Sequence, residues 1–464
     1  MDHTHDEKQL YQHSTNVSAI HTLPPELLTE IFMHCIPVHR DDNLPPYPPI
    51  PHRSRAPLLL GRVCGMWRII SASSPDLWSR ISIVQAQSRI DCKKDLEATK
   101  LWISRSSSRP LSIYIDSDSD NDDHLQEFLP PLLELIASQS WRWRDIEINL
   151  PFEFEDILLA PFRAGNVPQL VEFTSEIIQI HSTEVDPIFL TSAPQLKVCR
   201  YAGTAHVEIG GGIHSNIESL RLGSSQENPK LSLPYLLSCL AHCPLLSTLE
   251  TSIEAVGSLP HGRLAILKHS HLRHLCLSFY PEIDPGSLFD QLLLPALITL
   301  TLFRAVFDDF ANMDWLFLEP MLARSLPPLQ TLFLHNIPMR EETLIGCLSY
   351  LPMLTELKLQ GIICSDRILA SLTVNDADAN ASKILCMSLE TIDFGDDMFG
   401  RCHFSELAMT GMIISRRKMV KHKVFTKGKA LTEIRAPFNF DPYIRINLDL
   451  AGCLKGLTLN GYRY

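Results

Sequence analysis

The densest run of metal-ligand side chains in this sequence is His269, His271, His274 and Cys276. Imidazole and thiolate are zinc ligands, but a structural site closes on clustered pairs such as Cys-x-x-Cys, and none accompanies this run. The L-x-x-L-x-L register described below puts His274 and Cys276 on one face of a strand and His269 and His271 in the turn before it, so neither a metal nor a cofactor is expected. Cys239 and Cys243, four residues apart, share one face of a helix and read as core. Gly210 to Gly212 follow a short strand-like stretch. A dinucleotide loop needs G-x-G-x-x-G opening a helix, and Ser215 stands where the third glycine belongs. The chain also lacks the phosphate-cradling G-x-x-x-x-G-K-[ST] and the nucleophile elbow G-x-S-x-G. No local signature joins a nucleophile to a base, and the expectation is a chain that binds and does not catalyse. One compact basic cluster, RRKMVKHK at Arg416 to Lys423, stands out against an acidic whole. It reads as a nuclear localisation signal or partner patch, or as a solvated helix end.

The elements that must position these residues repeat. The unit L-x-x-L-x-L begins at 168 (PQLVEFTS), 194, 216, 244, 270, 295, 328 and 352, with weaker copies at 388, 430 and 453. Its leucine-type positions recur mostly 21 to 32 residues apart, with longer gaps between 360 and 430. That period matches leucine-rich repeats. Each copy is a short strand with apolar residues pointing one way. Between copies, Leu231 to Cys243, Leu316 to Ser325 and Glu342 to Leu351 are helical in pattern. A strand and a helix cannot bury their shared face alone, so neighbours stack into a solenoid with a curved parallel sheet on its inside.

In such an arc the leucines at positions 1, 4 and 6 face the core and the intervening positions face the concave side. Those positions are Arg200, Arg221, Glu250, His274, Cys276, Phe303, Phe333, His335, Glu356, Lys358 and Asp393. Exposed aromatics with arginine are what the centre of a protein interface prefers. The plainer reading is a mixed, solvated sheet surface.

The N-terminal part has another character. Leu23-Pro24-Pro25 opens a helix, since proline is tolerated in the first turn, and Glu26 sits where the helix dipole favours an acid. Leu27, Leu28, Ile31 and Phe32 form an apolar stripe, and Pro37 requires the helix to stop by Ile36. A second helix carries Leu58 to Ile70 and ends between Ser71 and Pro75, and Leu77, Trp78, Ile81 and Ile83 lead into an extended segment. A unit of roughly 50 residues is marginal by itself.

LPPELLTEIF followed by VCGMWRIISASSPDLWSRI resembles an F-box, most closely the F-box-like variant common in fungal proteins. The resemblance covers roughly residues 21 to 83. It implies docking on a Skp1-like adaptor of a cullin-RING ubiquitin ligase through Leu23, Pro24, Leu27, Leu28, Ile31, Val63, Cys64 and Trp67. Irregular leucine-rich repeats of the kind seen here resemble those that commonly follow an F-box. The chain departs from the compact F-box in a proline-rich insertion at 37–57, although a surface loop of that length costs little.

The expected fold class is therefore α/β. A tail at 1–20 is read as disordered. An all-α F-box-like module spans 21–83, a connecting region 84–140, and a leucine-rich-repeat solenoid 141–464. Within the connecting region, a helix over Ser88 to Ser107, a strand over Leu111 to Ile115 and a helix over Leu125 to Ser138 are expected. Between the last two lies an acidic loop, Asp116 to Asp123, whose serines sit among acids as phosphorylation would require, or which is simply a solvated turn. The implied function is a substrate-recognition adaptor of an SCF-type ligase, whose module holds Skp1 and whose repeats hold a target. The alternative is a non-ligase scaffold in which the module only caps the solenoid.

Composition is consistent with this. The 464 residues are 45% hydrophobic, enough for a large core, and a net charge of -12 argues against nucleic acid or an anionic membrane as partner. The start shows no signal-peptide pattern. The longest apolar run, Leu292 to Phe303, is too short to cross a bilayer and contains Pro295. Twelve cysteines without CxxC pairs read as reduced thiols, and the sequons at Asn16 and Asn380 carry no weight. A cytoplasmic or nuclear protein is expected.

Overall fold

The computed structural model describes residues 19–36, 39–41, 44–47, 53–84, 89–117, 123–178, 186–203, 205–209, 215–223, 231–255, 266–304, 314–374, 384–395, 402–421, 430–437, 453 and 455–463. The chain divides into two units, residues 1–116 with 121–135, and residues 117–120 with 136–464.

In the first unit, helix α1 runs Pro25–His34, with Pro25 in its first turn and Glu26 behind it. Its apolar stripe is divided. Leu28 and Phe32, one turn apart, are fully buried, whereas Leu27 and Ile31 lie exposed on the neighbouring face. The expected continuous second helix is two: α2, Leu60–Val63, and α3, Gly65–Ser73. Cys64 breaks it by adopting an extended backbone, and its Sγ accepts the N–H of Trp67 at 3.4 Å. That bond satisfies one of the donors a helix start leaves unpaired. Thr29 Oγ1 and Ser74 Oγ, 3.0 Å apart, tie α1 to the end of α3. Trp78 is scaffold. It donates Nε1–H to Ser71 O at 2.7 Å and meets Trp102, on the helix Arg89–Ser106, edge to face at 4.8 Å.

An all-α module is not evident. The proline-rich insertion contains an antiparallel pair, His39–Asp41 with Leu44–Tyr47, and the segment after Trp78 becomes a strand, Arg80–Val84, parallel to Leu111–Asp116. Tandem β-branched residues in RISIV favour strand over helix there. The acidic loop has Asp116 and Ser117 at its near end and Asp123 at its far end, and the residues between fall outside the described ones.

The second unit is a long parallel sheet, solenoid-like. Its strands follow chain order: Trp143–Pro151, Glu172–Ile178, Val198–Ala202, Ser219–Leu222, Thr248–Ala255, His274–Phe279, Thr299–Arg304, Thr331–His335, Glu356–Gln360, Thr391–Asp393, Glu433–Arg435 and Thr458–Leu459. Each pairs in register with the next. A short antiparallel strand, Tyr462–Arg463, ends the sheet. Each L-x-x-L-x-L copy from 168 to 453 leads into one of these strands. Their alternation is clean: Leu275, Leu277, Leu300, Leu302, Leu332, Leu334, Leu357 and Leu359 are buried in neighbouring ladders. The expected helices are present as Leu233–His242, Leu318–Ser325 and Glu341–Ser349.

Adjacent repeats are joined by more than the core. Asp314 accepts from Arg340 N at 3.0 Å and Thr343 Oγ1 at 2.8 Å, at the start of helix Glu341–Ser349. Glu341 accepts from Ser365 N at 2.6 Å and Ser365 Oγ at 2.7 Å, at the start of helix Asp366–Leu372. Asp366 accepts from Ser405 N at 2.6 Å, at the start of helix Glu406–Lys421. Each carboxylate thus caps the helix of the following repeat, at the end where the helix dipole favours negative charge.

Candidate functional site

The first surface lies on the first unit. Leu27 is 53% exposed, Ile31 38%, Val63 55% and Ile69 71%. Pro24 is exposed and Leu23 half-buried. Leu27, Ile31, Val63 and Ile69 stand on α1, α2 and α3, within the segment that resembles an F-box. Two of the residues expected to meet a partner do something else. Leu28 is fully buried, because its position in the helix repeat turns it onto the module's own core, so it offers a partner nothing. Cys64 is the cap of α3. Trp67 is half-buried and packs on Phe32, ring centroids 4.8 Å apart, and its buried Nε1–H has no acceptor among the described residues. Ile69 escaped the sequence reading. Its neighbour Ile70 is buried, and only the break at Cys64 shows which of the two turns outward.

The second surface is the sheet face opposite the leucines. Register places Arg200, Arg221, Glu250, Cys276, Thr301, Phe333, Lys358, Asp393 and Arg435 in one row across consecutive strands. His274 belongs to the row on one side and Phe303 and His335 to the row on the other. Three rings gather here: Phe303 to Phe333 5.0 Å, Phe303 to His335 5.7 Å and Phe333 to His335 6.1 Å. Lys358 Nζ stands 5.9 Å from the Phe333 ring centroid and 2.8 Å from Glu356. His335 Nδ1 is 3.1 Å from Gln360 Oε1. Farther along the row Arg221 pairs with Glu250 at 3.3 Å. Asp393 is a correction: it is buried, and its carboxylate accepts the N–H of Gly395 at 2.7 Å, closing the turn after its strand. Thr301 and Gln360, not singled out from sequence, stand in register with Phe333 and His335 respectively.

No family model matches this chain, and no curated protein matches it. The reading of both surfaces therefore rests on their chemistry and on the resemblance described above.

The remaining sequence candidates have structural employment. Leu272 N donates to His269 Nδ1 at 3.1 Å, so Nε2 carries the proton and donates to Cys243 O at 3.0 Å. Burial lowers the pKa of His269, helped by His271 nearby and opposed by the bond to Cys243. His271 Nδ1 lies 3.1 Å from Pro244 O. Cys239 and Cys243 are core, and burial pushes the Cys243 thiol up to about 11. The basic cluster is partly interior. Arg416 donates to the carbonyls of Leu372, Cys386 and Leu385 at 2.7 to 3.0 Å, and Arg417 to those of Cys453, Leu431 and Lys455. A localisation signal or partner patch cannot use these two, which stitch the last repeats together. His422 and Lys423 lie outside the described residues, as do Gly210 to Gly212. Among the described residues no helix is long and apolar enough to cross a membrane.

Proposed function

We propose that this chain is a non-catalytic substrate-recognition adaptor of an SCF-type ubiquitin ligase, with an F-box-like first unit that holds a Skp1-like subunit and leucine-rich repeats that hold a target. The observation that carries the reading is the pairing of a closed core, Leu28 with Phe32 and Trp67, with an uncovered aliphatic set, Leu27, Ile31, Val63 and Ile69. Those aliphatics fall within the segment whose motifs resemble an F-box. The long parallel sheet carries the second binding event on its aromatic face. Two binding events on one chain raise the effective concentration of target lysines near the ligase, which requires no reacting group on this chain.

The test uses exposed positions, so that folding is spared. Leu27→Asp with Val63→Asp is expected to abolish capture of purified Skp1–cullin by the full chain, with circular dichroism unchanged. Undiminished capture by the double variant sinks the proposal. Native chain that captures no Skp1 at all favours the scaffold reading, in which the first unit serves only to cap the repeats.

A further inference from the structure

The sheet face is not uniform along its length, and its variation specifies a kind of ligand. Arg200 and Arg221 are in direct register on neighbouring strands. Arg221 is already paired with Glu250, whereas the half-exposed Arg200 side chain has no hydrogen-bond or ion-pair partner among the described residues. An unneutralised guanidinium is conspicuous on a chain with a net charge of -12. Five register steps on, through Arg221, Glu250, Cys276 and Thr301, the same row reaches Phe333, with Phe303 beside it. Strands lie ~4.8 Å apart, so the cation and the aromatic group are about 24 Å from one another. An extended peptide advancing ~3.3 Å per residue covers that span in about seven residues.

We propose that this face takes an extended peptide that presents an anionic side chain, carboxylate or phosphate, to Arg200 beside Arg221, and an aromatic or branched aliphatic side chain to Phe303 and Phe333 about seven residues away. The inference rests on the reading of the sheet face as the target-holding surface. Charge complementarity selects the anion, because Arg200 is the open charge in the row among the described residues and the guanidinium fork suits planar and tetrahedral oxyanions. The ring group selects the apolar side chain, since desolvated aromatic pockets anchor interfaces. Between them the Glu250 charge is already met by Arg221, and Cys276 and Thr301 are neutral, so the peptide backbone passes over paired or uncharged side chains.

The experiment is fluorescence anisotropy of the full chain with labelled Gly/Ser peptides. Each carries one Phe and one Glu, separated by two to ten residues, and parallel series replace Glu with phosphoserine, Gln or Lys. Affinity is expected to peak near a spacing of seven, with Glu or phosphoserine above Gln. The tighter of the two identifies the anion as carboxylate or phosphate. Arg200→Glu is expected to weaken the acidic series by about tenfold or more, the change that one charge-assisted contact carries, and to strengthen the Lys series. Phe333→Ser is expected to remove the dependence on Phe. Affinity indifferent to spacing, acidic peptides no better than Gln, or an Arg200→Glu chain that binds the Glu series as the native chain does would each overturn the proposal. So would tighter binding of a single-stranded oligonucleotide than of any peptide. Skp1 capture, measured on the same variants, should not move. Its absence in the native chain would defeat the ligase reading while leaving the peptide result standing.

Discussion

Trp67 serves the core of the first unit with its ring and leaves its buried Nε1–H without an acceptor among the described residues. A buried donor left unpaired costs roughly 1–3 kcal/mol. Trp67→Phe keeps a ring against Phe32 and removes the donor, so amide-exchange protection in α1 and α3 should hold or rise. Trp67→Ala removes the ring and should lower it by about 2–4 kcal/mol, toward the lower end of large-to-small core losses because the residue is only half-buried. His269 makes a pH prediction. Its folded pKa lies below the ordinary 6.5, so between the two values the unfolded chain binds more protons and stability rises with pH. Its contribution is complete above about 6.5 and drains away as pH falls below that. His269→Gln should flatten the pH dependence of the urea midpoint below about pH 6.5. A slope unchanged from the native chain would assign that dependence to other groups.

At the scale of elements, a carboxylate from the repeat before explains how the helix Glu341–Ser349, whose own preceding residue offers no side-chain cap, still starts cleanly. Arg340, before the helix Glu341–Ser349, makes no such bond, and Asp314 of the repeat before supplies it. Glu341 in turn holds the N–H and hydroxyl of Ser365, which itself caps the next helix by accepting from Arg367 N. Glu341→Ala and Ser365→Ala should each cost about 0.5–2 kcal/mol. The double variant should cost more than either single one but less than their sum, since the Ser365 Oγ–Glu341 bond is shared while Glu341 also holds Ser365 N–H and Ser365 Oγ also accepts from Arg367 N. Full additivity in chemical denaturation would show that the two residues act separately. The break at Cys64 is the element-scale event that the helical pattern concealed. Apolar residues from Leu58 to Ile70 read as one continuous face until Cys64 turns extended and caps α3, and that turn brings Val63 and Ile69 to the surface.

For the whole molecule, stability in the second unit accumulates from neighbour to neighbour, because among the described residues each strand of the long sheet pairs with those of the adjoining repeats. Leu302, in the middle of the sheet, is covered from both sides, and Leu302→Ala should cost about 2–5 kcal/mol. Leu459, in the last parallel strand, should cost less on the same change. Hydrogen exchange should show protection falling from the central strands toward Tyr462–Arg463. Uniform protection along the sheet would contradict nearest-neighbour stacking. The C-terminal copies are stitched by Arg416 and Arg417 to carbonyls of several loops, which compensates for their short strands.

The strands and their order were legible from the chain alone, because a leucine at positions 1, 4 and 6 is a local, period-2 pattern that needs a neighbour to bury it. The start of α1 was equally legible from Leu23-Pro24-Pro25, and its end from Pro37. What tertiary structure decided was which of two equally apolar residues is covered. Leu28 and Leu27 cannot be told apart by hydrophobicity, nor Ile70 and Ile69, and Asp393 resembles any other strand acid until Gly395 turns back onto it. Arg416 and Arg417 read as surface charge because cations belong in water, and only carbonyls arriving from four distant stretches let Arg416 be buried and Arg417 half-buried. Periodicity is written along the chain. Exposure is a property of what packs against it, and that depends on residues far away in sequence.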